Sequence, residues 1–546
     1  MLDWLRHYRR AWLPGDIGAG VVVALMTIPQ SMAYALVAGL PPVAGLYGSI
    51  LPALAYALFG SSMAQSVGPA AITSLMTAAT LAPFAVAGSA LYTVLAAQLA
   101  FMAGAVLLLC ALLRVGFLAN FFSRPVMSGF SFAVALVIAY GQLEPLLGGA
   151  LLHPHAPSAA IGIGALALLL LARRFMAPLL AACGLREGTA QIGARLAPML
   201  AVIGGTALVT LLHLDAAGVK VTGPVPGGLP TLNLASSLPH WRTMAQPALL
   251  IGFMIFLISM SAAQTLALKR QEKLRSNAEL LGLGAANVAS ALSGSFPVTG
   301  SISRSAVNFS AGARTPLASV ISALLLVGAL LAPTGWLALL PLPVLAATII
   351  VAVLGMLEVA TLRIAWSYDR GDALAWLATA AGVVGLGVQA GVVVGVALSM
   401  GTLIWRASRP NIVVLGRIPG TEHFRDIERY DGATSERVLM LRVDANLFFG
   451  NVESVNQRIE DELAARPRLR HLVLVMTSIS SIDTSALFAL VELNQMLRQQ
   501  GIALHFAEVK GPVLDRLKTS ALLPDLTGDV FLSALMAFEH TSKDEA

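Results

Sequence analysis

Ser293-Gly294-Ser295-Phe296-Pro297-Val298-Thr299-Gly300 is a polar, helix-breaking stretch inside an apolar chain, and a short segment, 303–311, follows it. An earlier stretch, Ser61-Ser62-Met63-Ala64-Gln65-Ser66-Val67-Gly68, has the same character and also precedes a short segment, 69–83. Around them the chain divides into apolar runs, many of them near the roughly 17–25 residues that cross a bilayer. One set reads 16–38, 43–59, 69–83, 91–113, 122–143, 159–172 and 194–212. The second reads 247–268, 278–292, 303–311, 316–331, 343–364, 372–386 and 389–405. Each interrupted segment is third in its set. Matched interruptions point to inverted repeats with a binding site near the midplane, because non-helical backbone survives at that depth only when buried in protein or lining a cavity. The plainer alternative is two ordinary loops beside short helices.

Composition agrees with a polytopic α-helical membrane protein of about fourteen transmembrane segments. Of 546 residues only 12% are charged and 57% are hydrophobic, with a mean hydropathy of +0.78, where a soluble chain carries roughly 25% charge. Beyond Arg409 charges return every few residues and no spanning run follows. The expected division is a transmembrane transport domain over 1–408, a linker over 409–435 and a soluble domain over 436–546. The net charge of +6 does not indicate nucleic acid, since Lys and Arg are scattered between the apolar runs. They fall on alternate turns: Arg114 and Arg124; Arg173, Arg174, Arg186 and Arg195; Lys269, Arg270, Lys273 and Arg275; Arg363 and Arg370; Arg406 and Arg409. The opposite turns add little beyond Lys220 and Arg242. The positive-inside rule then puts both termini in the cytoplasm of a multi-pass protein of the cell inner (plasma) membrane. Arg6, Arg9 and Arg10 ahead of an apolar run resemble a signal peptide, but a first run followed by many more reads as a retained helix. Cys110 and Cys183 have neither metal-ligand spacing nor a disulfide pattern. Without a nucleophile–base pair, metal cluster or nucleotide loop, neither an enzyme, a metal nor a cofactor is expected.

Two half-helices entering from opposite sides aim their N-termini at one another. Each N-terminus carries unpaired N–H groups and about half a positive charge, which makes an anion site before any side chain is counted. Ser301 and Ser303 add hydroxyls where the second half-helix begins, around Ile302. Arg304 adds a cation, and an intramembrane Arg costs roughly 2.5–3.5 kcal/mol on the insertion scale. It reads as a fixed charge at the rim of the site, or else as a structural Arg that snorkels or caps carbonyls. In the first span Pro29 frees backbone groups while Gln30 and Tyr34, four apart, share a face. That pair suits a substrate cavity, or equally a kink whose polar groups bond a neighbouring helix.

These stretches resemble the sulfate permease family of anion transporters (SulP, solute carrier family 26). The resemblance lies in Pro29-Gln30-Ser31-Met32-Ala33-Tyr34, in 39–49, in Gly68-Pro69-Ala70-Ala71-Ile72-Thr73 and above all in 294–308. It implies a seven-plus-seven inverted repeat, a core moving against a scaffold, and a homodimer. It also implies substrate contact at Gln30, Tyr34, Pro69, Ala70, Ser303 and Arg304. Many members carry an acidic residue in the eighth span for proton or sodium coupling; here that position is Ile258, and 247–268 holds no carboxylate.

Past Arg437, short apolar runs alternate with amphipathic helices, which argues a small α/β domain. Ile482-Asp483-Thr484-Ser485-Ala486 resembles the phospho-switch loop of STAS domains, with Asp483 as a helix N-cap and Ser485 at the position phosphorylated in the antagonists. Ser485 is a regulatory candidate, or Asp483 is a cap and no more. His423, His471, His505 and His540 have no ligand spacing and read as surface or packing residues.

The function expected is secondary transport of a small inorganic or organic anion by elevator-like alternating access, with sulfate as the family default. Bicarbonate, chloride and a dicarboxylate are alternatives, as is an anion sensor signalling through the STAS domain. A nucleobase permease needs carboxylates that the eighth and tenth spans lack. Other expected partners are membrane lipid, a second copy of the chain and a cytoplasmic protein at the STAS domain.

Overall fold

The computed structural model describes residues 3–117, 123–184, 190–191, 193–194, 196–230 and 240–543. Arg186, Arg195 and Phe122, the expected start of the fifth span, lie outside the described residues. Two compact units divide the chain, Met1–Ser399 and Met400–Ala546.

The first unit is helical. Its first set is α1 (Leu13–Val37), α2 (Pro42–Phe59), α3 (Ala71–Leu81), α4 (Ala90–Leu112), α5 (Arg124–Gly141), α6 (Ala156–Leu171) and α7 (Ala197–Leu211). The second set opens with α8 (Trp241–Arg270), α9 (Ser276–Leu292), α10 (Ile302–Ser310) and α11 (Leu317–Leu331). It continues with α12 (Leu342–Leu354), α13 (Ala360–Tyr368), α14 (Arg370–Leu386) and α15 (Val388–Ser408), the last running across the division between the units. Among the described residues, seven helices are long and apolar enough to cross a membrane. The expected span 343–364 is instead two helices. At Gly355 the chain turns through short bonds, Met356 N–H to Val353 and Leu357 N–H to Leu354, and the carboxylate of Glu358 follows. Helix α9 packs on α2 and α4, and α11 on α1 and α2, whereas α14 packs on α5 and α12 on α6. Small residues allow the close approaches: Gly282 meets Gly60, and Gly284 meets Leu108. The two groups meet where α12 and α7 touch α1, and where Gln389 Nε2 donates to Thr80 Oγ1 at 2.7 Å.

The second unit is a six-stranded sheet in the order β4-β3-β5-β6-β7-β8. Its strands are β3 (Ile412–Arg417), β4 (Phe424–Asp426), β5 (Val438–Val443), β6 (His471–Val475), β7 (Ala503–Ala507) and β8 (Val530–Phe531). Strands β5 to β8 run parallel, and β3 is antiparallel to β5. The stretch 409–435, expected to be a linker, therefore contributes two strands: the β-branched run Ile412-Val413-Val414 pairs with Val443-Arg442-Leu441. Both faces are covered, Leu439, Leu441, Leu472 and Leu474 on one and Val438, Met440, Val473 and Val475 on the other. That is why these strands read as unbroken apolar runs. Asp483 caps α16 (Thr484–Gln499), its Oδ1 accepting from Ala486 N–H at 2.8 Å and its Oδ2 from Phe449 N–H at 2.9 Å. Ser485 is exposed in the first turn.

His505 on β7 is buried, unlike a surface histidine. Its Nδ1 accepts from Asp529 N–H at 2.9 Å, which places the proton on Nε2, 3.1 Å from His471 Nδ1. Burial, with the neighbouring His471, lowers its pKa to about 4. The unfolded chain, near the ordinary value of about 6.5, takes up the proton first. Stability of this unit is therefore full above that value and falls as pH drops toward about 4. Hydrogen exchange at β7 in the intact protein, corrected for intrinsic rates, should speed up between about pH 7 and 5; equal protection at both would refute this.

Candidate anion site

Between α2 and α3 lies β1 (Val67–Gly68), and between α9 and α10 lies β2 (Thr299–Gly300). The two pair antiparallel, Val67 with Gly300 and Gly68 with Thr299. Each strand feeds a half-helix, so the pairing sets the starts of α3 and α10 side by side. In α3 the first helical bond runs from Ser74 N–H to Ala70 C=O, leaving Ala71, Ile72 and Thr73 N–H without helical acceptors. In α10 it runs from Ser305 N–H to Ser301 C=O, and Ser301 Oγ accepts from Arg304 N–H at 3.3 Å. Ile302 and Ser303 N–H have no helical acceptor.

Polar side chains fix both strands. Asn287 on α9 accepts from Val298 N–H at 2.9 Å and donates to Val298 C=O at 3.0 Å. Ser259 on α8 accepts from Gly300 N–H at 2.8 Å and lies 2.9 Å from Thr299 Oγ1. Across the repeats, Ser66 N–H donates to Ser305 Oγ at 2.9 Å, Ser301 N–H to Ser66 C=O at 2.9 Å and Asn308 Nδ2 to Ala64 C=O at 3.0 Å. None of Asn287, Ser259 and Asn308 stood out as a site residue in the sequence. For Asn287 and Ser259 the available signal was a polar residue in a mostly apolar helix; Asn308, among the serines of α10, gave none.

Arg304 is 1% exposed. It lies beneath β1 rather than at a rim, with Nη2 donating to Pro69 C=O at 2.8 Å. Its Nε and Nη1 are buried and have no hydrogen-bond partner among the described residues. The guanidinium thus caps a carbonyl and still presents unused N–H groups. A Cβ at Gly68 would stand 3.0 Å from Nη2, a tight contact to which the guanidinium would have to yield. Helix α1 packs on α3 and α10, and Tyr34 is within electrostatic range of Arg304. Gln30 and Tyr34 are 9% and 8% exposed. Pro69 is buried, Ala70 and Ser301 are part-exposed, and Ile302 and Ser303 are exposed. Ile258 is buried in α8, beside the Ser259 that holds β2. Helix N-termini, spare N–H groups and a guanidinium are the groups by which proteins hold small anions.

Residues 13–379 match the family model described as the sulfate permease family, and 429–534 match the STAS domain. A probable sulfate transporter of Mycobacterium tuberculosis is 36% identical over 558 residues, covering 98% of this chain and 96% of that one. Chloroplastic sulfate transporter 4.1 of Arabidopsis thaliana is 33% identical over 92% of this chain and 76% of that one. Among solved structures, SLC26A9 superimposes with a TM-score of 0.89 at 22% identity, over 100% of this chain and 92% of that one. The transmembrane domain of the cyanobacterial bicarbonate transporter BicA gives 0.59 at 23% identity, over 71% of this chain and 98% of that one.

Proposed function

The chain belongs to the sulfate permease family, and from that premise we propose that it carries sulfate, held between the starts of α3 and α10. The observation that carries this reading is the buried guanidinium of Arg304, with N–H groups to spare, beside the antiparallel β1–β2 bridge. A tetrahedral dianion uses many donors. Backbone N–H groups of 71–73, 302 and 303, the Ser301 and Ser303 hydroxyls and Arg304 supply them, while Gln30 and Tyr34 close the site from α1. Pro69 and Ala70 shape the first half-helix and Ile302 the second.

Transport follows an elevator-like course. The group of α1–α4 with α8–α11 carries the site, because β1 and β2 bind both half-helices to that group and not to α5–α7 or α12–α15. The chain works as a homodimer in the inner membrane with both termini cytoplasmic, in keeping with the cationic turns. The STAS unit offers Ser485, exposed at a helix start, to a cytoplasmic protein.

Uptake of labelled sulfate into proteoliposomes, with bicarbonate, chloride and succinate as competitors, tests the reading. Saturable sulfate uptake with weak competition by the others is expected. Preference for bicarbonate would favour the chemistry named for BicA, and anion binding without flux would turn the protein into a sensor.

A further inference from the structure

We infer that Gln389 latches the two helix groups together on the outer side of the protein, and that its bond to Thr80 sets how often the anion site opens to that side. The inference rests on the elevator reading above. Gln389 is a positioning residue, which acts through the placement of α3 and not on the anion.

Thr80 lies in the last turn of α3, the half-helix that starts at the anion site and belongs to the group carrying it. Gln389 is the second residue of α15, in the other group. Its Nε2 donates to Thr80 Oγ1 at 2.7 Å. Thr80 fixes the direction of that bond. Its own hydrogen goes to Met76 C=O at 2.7 Å, so the hydroxyl can only accept and the amide must present its nitrogen. Thr80 is buried, and water has no place between the partners while the helices stay together.

The donor is held on a rigid hairpin. Gly387 joins α14 to α15 with φ +93° and ψ 164°, backbone angles open essentially to glycine. A junction this short buries Val388 and sets Gln389 in the first turn of α15. Just below it, a Cβ at Gly391 would overlap Val383, so the two helices lie in close contact. The amide is thereby aimed from a packed corner rather than from a loose loop.

The level of the bond gives its meaning. Thr80 stands ten residues beyond Ala70, about 15 Å along α3 from the site at 1.5 Å per residue. That is half of the roughly 30 Å hydrocarbon thickness. With the site near the midplane and both termini cytoplasmic, α3 runs outward and α14 crosses from inside to outside. The bond therefore closes the outer edge of the seam between the groups. Outward movement of the carrying group draws Thr80 past Gln389 and breaks it. The latch favours the outwardly closed arrangement about 2- to 13-fold, the equivalent of roughly 0.5–1.5 kcal/mol net for a hydrogen bond.

Thr77 supplies a control on the same helix. It makes the same backward bond, to Thr73 C=O at 2.7 Å, but has no bond to α15 among the described residues.

Cysteine accessibility in the full-length protein tests the latch. C110A and C183A remove the native thiols, and Ser303→Cys places one at the start of α10. A membrane-impermeant maleimide is then applied to right-side-out and to inverted vesicles. The ratio of outside to inside labelling rates follows the outward-to-inward equilibrium. That ratio should rise about 2- to 13-fold in Q389A and in T80V, with the double variant no higher than either alone. T80S, which keeps the hydroxyl, should match the parent, and so should T77V. An unchanged ratio in Q389A and T80V, effects that multiply in the double variant, or an equal rise in T77V overturns the latch. Labelling from one side only, in the parent and every variant, overturns the latch together with the elevator reading. A shifted ratio in a protein that takes up no labelled sulfate keeps the latch and overturns the sulfate reading; saturable uptake with an unshifted ratio does the reverse.

Discussion

Replacing Arg304 with Ala should weaken sulfate binding more than any other single change, raising KM by roughly 30- to 5,000-fold, the equivalent of about 2–5 kcal/mol for losing one partner of a buried charge pair. Three losses coincide. The site loses its cation, the anion loses the unused Nε and Nη1 donors, and the Pro69 carbonyl loses its partner. Arg304→Lys should fall between, because a lysine keeps the charge but not the planar fork that serves Pro69 and a ligand together. Initial-rate uptake in proteoliposomes gives KM, and sulfate-dependent thermal shift gives binding without flux. An unchanged KM in a folded R304A would reduce Arg304 to its carbonyl-capping role.

Asn287→Ala should cause the second large loss, this time through the scaffold of the site. It orphans Val298 N–H and C=O at a fully buried position, at about 1–3 kcal/mol for each group. The stretch leading into α10 then loses its register, so thermal stability in detergent and sulfate uptake should fall together. Asn287→Asp keeps the acceptor for Val298 N–H but cannot donate to the carbonyl, and should lie between. Full uptake with an unshifted melting temperature in N287A would show that β1 and the Ser259 bonds suffice.

Much of this architecture was legible because membrane helices announce themselves by length and apolarity. The interrupted segments were legible for the reverse reason: a run of polar residues with Pro and Gly breaks the apolar pattern. The break at Gly355 was missed because Met356-Leu357 continues the apolar pattern straight through it. Strand β3 was missed for its setting, an apolar run of only a few residues among charges. At the site, Arg304 stood out by its cost, but its depth and its Pro69 partner depend on a strand more than 200 residues away. Asn287 and Ser259 were beyond reach for a related reason. A buried amide or hydroxyl has many potential partners, and only the fold selects one.

The burial of Arg304 also has an electrical side. On the proposed reading the guanidinium travels with the core, so an empty site moves one positive charge, a site holding a monovalent anion moves none, and one holding sulfate moves a net negative charge. Each unit of charge crossing the full field is worth about 2.3 kcal/mol per 100 mV. A cell whose interior is negative would thus draw the vacant carrier inward and oppose inward passage of the sulfate-loaded one.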